Sequence, residues 1–338
     1  MAKTANRSTQ ERHPADVVLS GGGVKFIGLV GAIVALMDAG YSFKRVSGVS
    51  AGSVVAAILA AASQGDQLTS HQVRELALSV PLSKWRDRAP IPFLGAAWGL
   101  LRDTAMYRGD FAYEWIRSEL KNLGVTTFGD LALDGEHLLG ERHYKLVVTV
   151  ADVTGAQLVR LPWDYQRLYG LDPDEQLVAD AVRASMAIPF FYRPVTLTAA
   201  TGETSTLVDG GVLSNFPVDT FDRPDGKPPR WPTFGITVLP RIAEGISEVM
   251  PAFRSLRLLK QTALLESLLT TILVGRDQTH VNQPWVKSRA IQIESTNVGV
   301  LDFGISGKRL HELYDNGYAA AQDFLSTWDW PAYLERFR

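Results

Sequence analysis

The sequence predicts an α/β protein with a mostly parallel central sheet covered by helices. Three observations predict it. An apolar strand pattern over 16–20 (DVVLS) runs into three glycines and then a helix-period segment over 27–39. A second strand around 44–47 runs into another small-residue turn and an uncharged helix over 51–63. Parallel strands can be joined only by a crossover, so this β–α–β–α unit implies helices lying on the sheet. Strand-like segments then recur at 144–151, 157–161, 205–208, 234–239 and 290–293.

Each element has a local reason. Residues 1–15 are polar and read as a loose tail, where Lys3, Arg7 and Arg12 against Glu11 give weak attraction to anionic lipid. Gly40 closes the first helix as a left-handed C-terminal residue. A helical insertion follows at about 66–130. Within it 71–80 is amphipathic, and Asp110 is expected to cap a helix that Gly124 ends. Between them lies the proline-punctuated apolar segment 89–101 (APIPFLGAAWGLL). It reads first as buried and second as a lid or membrane-docking patch carrying Phe93, Leu94 and Trp98. The turn-rich stretch 222–232 is expected to be a surface loop within one domain spanning 16–338, because the strands on either side share one character. Helices are expected over 255–274, leucine-rich through core packing, and over 306–327, capped by Ser306.

Composition narrows the chemistry. The chain has 338 residues, 46% hydrophobic, with 34 Lys+Arg against 36 Asp+Glu. This balance provides no field for nucleic acid, and none is expected as a partner. With no cysteine, disulfides, zinc–cysteine sites, iron–sulfur clusters and thiol catalysis are excluded together. The N-terminus has no apolar signal core. The longest uncharged stretch, 46–65, is interrupted by serines and glycines, whereas a spanning helix needs about 20 mostly apolar residues. A cytoplasmic protein is expected, and nothing in the composition speaks to its oligomeric state.

Two turns carry candidate chemistry. Gly21-Gly22-Gly23 follows a strand and opens a helix, so its backbone N–H groups can converge on an anion. A dinucleotide fingerprint needs a third glycine where Phe26 stands, with Gly28 displaced by two positions, and no Gly-Lys-Ser/Thr closes a phosphate loop. An oxyanion-binding turn and a plain tight turn both remain. Gly48-Val49-Ser50-Ala51-Gly52 is a G-x-S-x-G at a strand-to-helix junction, where small neighbours let a serine hydroxyl project into a cleft. The alternative is that Ser50 or Ser53 only caps the helix.

The spacing separates hydrolase classes. In an α/β-hydrolase the oxyanion loop precedes the nucleophile by several elements, and acid and histidine follow it. Here Gly23 and Ser50 are separated by a single crossover, which puts the two turns side by side. The histidines make poor bases: His71 and His311 fall on polar helical segments, His137 and His143 in a polar hairpin-like stretch, and His280 in a loop. Asp209-Gly210-Gly211, after the apolar strand 206–208, offers a carboxylate at a strand end instead. A plain Asp-Gly turn is the alternative there.

Together these residues resemble the patatin-like phospholipase family, lipid acyl hydrolases with a Ser–Asp dyad and no catalytic histidine. The resemblance rests on Gly21–Gly23 with Val24-Lys25, on Gly48 to Gly52, and on 179–194 (ADAVRASMAIPFFYRP). It also includes Asp209-Gly210-Gly211 with Asn215-Phe216-Pro217, and Leu301-Asp302-Phe303. It implies a three-layer patatin-like fold and a lipid or phospholipid substrate met at a peripheral membrane contact. It further implies Ser50 as nucleophile, Asp209 as base, and the amides of Gly21, Gly22, Gly23 and Val24 as oxyanion hole. Lys25, Gly48, Gly52, Gly210 and Gly211 support the motifs. No cofactor and no metal are implied, since the glycine amides stand in for a Lewis acid. The family usually has glycine where this chain has Phe26, a side chain large enough to narrow the site or shift the turn. Two rivals stay open: a silent patatin-fold protein that binds lipid or regulates, and a nucleotide-binding α/β protein. Activity is expected to persist above neutrality and to fall on the acid side as Asp209 protonates. A loss in the histidine range would point to a triad.

Overall fold

The computed structural model describes residues 13–63, 68–87, 105–134, 142–239, 280–294 and 298–338. The tail with Lys3, Arg7, Glu11 and Arg12, the segment 89–101, His137 and the expected helix 255–274 lie outside the described residues.

Strand β1 (His13–Leu19) leads through the glycine turn into helix α1 (Phe26–Asp38), then β2 (Tyr41–Val49) and helix α2 (Ala51–Ala62). β2 is longer than the sequence pattern suggests. Its polar first half, with Ser42, Lys44 and Arg45, is held by pairing with β1 from His13↔Tyr41 onward, and pairing outweighs propensity there. Helix α3 (Ser70–Leu78) begins at a capping box in which Thr69 and Gln72 satisfy each other's backbone N–H groups. After β3 (Ala105–Tyr107) comes the helix Asp110–Asn122. Its cap differs from expectation: Gly109, with φ +80°, occupies the N-cap, and Asp110 is the first helical residue. The free N–H groups of Gly109 and Phe111 are satisfied instead by the carboxylate of Asp87 (2.8 and 2.9 Å), a tertiary contact that local sequence does not reveal.

The rest of the sheet comes from β4 (Leu146–Asp152), β5 (Gln157–Leu161), β7 (Val195–Thr198), β8 (Thr204–Asp209), β9 (Thr233–Leu239) and β10 (Ala290–Glu294). The short β6 (Phe190–Tyr192) pairs with β3 in a separate two-stranded sheet. Strands of three or four residues carry no readable periodicity, which is why β3, β6 and β7 escape a sequence reading.

The main sheet runs β10-β9-β1-β2-β4-β8-β7, with β5 also on β4. The five strands β10, β9, β1, β2 and β4 are mutually parallel, and β5, β8 and β7 join antiparallel. This is a mostly parallel sheet in a three-layer α/β architecture. Helix α1 packs against the helix Gly307–Thr327 and against α2 and α3. One continuous buried cluster joins these helices to the sheet, from Ala15 to Ala321. Ser306 caps Gly307–Thr327, as its position suggests. No described helix is long and apolar enough to cross a membrane.

One detail of the register positions the site. Val148 and Thr149 of β4 pair with β2 on one edge and with β5 on the other. Val150, Ala151 and Asp152 pair with β5 and with β8. β2 and β8 therefore occupy the same edge of β4, end to end and pointing at each other. Val49, the last residue of β2, is opposite Thr149, and Asp209, the last of β8, is opposite the next residue, Val150.

Candidate active site

Ser50 follows β2 directly and occupies the N-cap position of α2 with φ 53° and ψ −132°. A non-glycine residue in such a conformation costs about 1–3 kcal/mol and persists only where its surroundings hold it. Here the Ser50 N–H donates to Ser185 Oγ (2.8 Å), which itself donates to the Thr149 carbonyl (2.8 Å). The Ser50 hydroxyl makes no capping bond to α2. The neighbouring Ser53 hydroxyl donates backward to the Ser50 carbonyl at 2.6 Å. Capping is thus not what the Ser50 side chain does.

The flanking glycines are dictated by packing. Gly48 is the penultimate residue of β2. Gly52 lies where a Cβ would come within 2.3 Å of the Ser20 carbonyl, so any side chain would push the first turn of α2 away from β1. That close approach puts the serine turn against the glycine turn: a Cβ on Gly21 would be 3.0 Å from Ser50 Cβ.

The glycine turn itself is narrower in function than its sequence suggests. Gly23 has φ +54°, and a Cβ there would collide with the Val300 carbonyl. The Val24 N–H donates to that same carbonyl (3.0 Å), and the Gly21 N–H donates to the Asn215 carbonyl (3.2 Å). An N–H has one proton, so these two amides are already spent. This corrects the four-residue expectation: among the described residues, Gly22 and Gly23 keep amides without a backbone acceptor. Lys25, at the N-cap of α1, is buried.

Asp209 is fully buried at the end of β8. Its N–H donates to the Ala187 carbonyl (3.0 Å), and its Oδ1 accepts from the Gly211 N–H (2.8 Å) in the tight turn opened by Gly210-Gly211. Among the described residues, Oδ2 has no hydrogen-bond partner within bonding distance. Burial pushes the Asp209 carboxyl from its usual 3.8 up to about 7, although the adjacent Ser50 hydroxyl and the Gly211 amide pull the other way. A serine hydroxyl therefore adjoins a carboxylate able to take up a proton near neutrality.

The segment that carries Ser185 joins both halves. The helix Val178–Ser185 ends at the serine that holds Ser50, Ala187 holds Asp209, and Met186 and Ile188 line the adjoining pocket. The sequence marks this stretch only as a motif. A lone serine on the apolar face of an amphipathic helix, just before Ile188-Pro189, is the signal in the sequence that marks Ser185.

The pocket at Ser50 is small, about 10 Å³, roughly the room of one water. Gly23, Phe26, Trp85, Met186, Ile188 and Phe303 are among its walls. Phe26, 3% exposed, is the first residue of α1 and stacks on Trp85 with ring planes 7° apart. Its ring forms part of the wall of the site. Of the described histidines none lines this pocket, and His71 and His311 are exposed on helices.

Comparison with known proteins gives the family. Residues 17–222 match the family model described as patatin-like phospholipase. The chain is 33% identical over 317 residues to the uncharacterized protein YqhO of Bacillus subtilis, covering 93% of this chain and 98% of that one. Its fold is similar to that of VipD from Legionella pneumophila, with a TM-score of 0.50 at 20% identity over 95% of this chain and 68% of that one. The ExoU–SpcU complex of the Pseudomonas aeruginosa type III secretion system gives 0.50 at 17% identity, over 96% and 53%. The match over the segment holding both turns, Ser185 and Asp209 makes the assignment plain: the chain belongs to the patatin-like phospholipase family.

Proposed function

We propose that this protein is a serine lipid acyl hydrolase that cleaves fatty-acyl esters of phospholipids, lysophospholipids or related lipids. One observation carries the reading: β2 and β8 meet end to end on one edge of β4, bringing a strained Ser50 beside a buried Asp209. Family membership supports the reaction class.

The reaction proceeds in two halves. The ionised Asp209 accepts the Ser50 Oγ proton as Oγ attacks the acyl carbonyl. The oxygen that gains charge is met by the Gly22 and Gly23 amides, aided by the N-terminal end of α2. Collapse breaks the ester bond, and the departing alcohol takes the proton from Asp209. Water then attacks the acyl-Ser50 carbonyl and gives a proton to Asp209. The second collapse returns that proton to Ser50 Oγ and releases the fatty acid.

The narrowness of the pocket favours one rival, a silent patatin-fold module that acts by binding or regulation and not by turnover. Labelling by a fluorophosphonate separates the two. Covalent capture of Ser50, lost in Ser50→Ala, with fatty-acid release from phospholipid vesicles supports the hydrolase. An unlabelled, folded protein that releases no fatty acid supports the silent module.

A further inference from the structure

Phe26 stands between two apolar spaces. One is the pocket at Ser50. The other is a cavity of about 30 Å³ between α1, α2 and α3, walled by side chains that include Val30, Val54, Val55, Val73 and Ala77. Among the described residues Phe26 alone lines both. Every side chain lining the second cavity is apolar. Such a space holds no water in place and offers room for a few methylene groups of a hydrocarbon chain.

We propose that Phe26 is the specificity-determining residue for acyl-chain length: its ring closes the way from Ser50 into the cavity between α1, α2 and α3. The native protein then favours short acyl groups, and removing the ring gives a long chain a continuous apolar path. This rests on the acyl hydrolase reading, so its test carries one readout that needs no turnover.

The experiment measures kcat/KM for butyrate, octanoate and palmitate esters of one alcohol in mixed micelles. Phe26→Ala is expected to raise the palmitate-to-butyrate ratio by about tenfold or more, the scale on which apolar pockets discriminate chain length. Adding Ala77→Leu refills the far cavity and brings the ratio back. Phe26→Leu, which keeps more of the core filled, shifts the ratio the same way by less and serves if Phe26→Ala does not fold. In parallel, calorimetry in a Ser50→Ala background compares palmitate with octanoate, and Phe26→Ala is expected to gain affinity for palmitate alone. An unchanged ratio in folded, active variants overturns the proposal and leaves the hydrolase reading standing. A gain that survives Ala77→Leu also overturns it. If no ester is hydrolysed but palmitate affinity rises with Phe26→Ala, the hydrolase reading falls and the role of Phe26 in chain length stands. If neither hydrolysis nor that gain is seen, both fall.

Discussion

The backbone N–H of Ser50 donates to the hydroxyl of Ser185 across 2.8 Å, although the two serines are 135 residues apart in sequence. The same hydroxyl donates to Thr149 in the strand that both β2 and β8 use as their template. Ser185 thus ties the unusual backbone of the nucleophile turn to the register of the sheet.

Ser185→Ala leaves the Ser50 N–H and the Thr149 carbonyl without this partner. Unfolding free energy should fall by about 1–3 kcal/mol, the cost of stranding buried polar groups. Because the nucleophile is then less firmly aimed, kcat should fall about 10- to 100-fold with little change in KM. Steady-state kinetics beside a urea titration checks this. Loss of stability with an unchanged kcat would show Ser185 to be structural only.

Ser50→Ala should abolish ester hydrolysis, and Asp209→Asn should lower it about 10²- to 10⁴-fold, the usual contribution of a general base. Both proteins should keep the wild-type circular dichroism spectrum. Hydrolysis near the wild-type rate by either purified variant would remove that residue from the dyad.

The pH profile follows from burial of Asp209. The base works ionised, and its carboxyl is raised to about 7, so kcat/KM should drop about tenfold per pH unit below neutrality and level off above it. A loss in the histidine range is therefore expected from the dyad as well, since burial moves the aspartate into that range. Temperature separates the two: carboxylate ionisation has little heat and imidazole ionisation a large one. The acid limb should therefore barely move on warming, and a strong shift would implicate a histidine.

The same ionisation affects folding. A carboxyl whose folded value lies above its unfolded one adds its full stability below about pH 4 and loses it as pH rises through about 7. The span from 3.8 to about 7 is worth roughly 4 kcal/mol. Asp209→Asn, neutral throughout, should thus become more stable than the wild type above pH 7, by up to that amount, relative to their difference at pH 4. Denaturant titrations at the two pH values measure it. A constant difference would mean that Asp209 is not desolvated.

Gly52→Ala forces a Cβ against the Ser20 carbonyl and should cost about 3 kcal/mol, at the upper end of overpacking, together with activity. Gly124→Ala is the contrast. That glycine has φ +79° but open space around it, so the cost should be near 1 kcal/mol with hydrolysis intact. Equal effects from the two would contradict the close approach of the two turns.

Much was legible without coordinates because it is local. Strand-to-helix turns announce themselves where Gly21–Gly23 and Gly48–Gly52 interrupt apolar runs, and a chain that must turn within a few residues has few ways to do so. The N-cap of Asp110–Asn122 is not legible in local sequence because its acceptor, Asp87, is supplied by distant chain. The Val24 amide looks free in the sequence because nothing near it predicts the Val300 carbonyl that it meets.

The sequence by itself determined the β–α–β–α start, the serine at a strand-to-helix turn and a carboxylate at a strand end. Each depends on the conformations open to a few neighbouring residues. Only the tertiary structure decided that β8 runs antiparallel to β4 along the edge β2 vacates, which makes Ser50 and Asp209 neighbours. It also decided that Asp209 is buried deeply enough to hold its proton to about 7, and that Phe26 separates two cavities. Those outcomes follow from how distant strands and helices exclude water together, a property that no short stretch of sequence possesses.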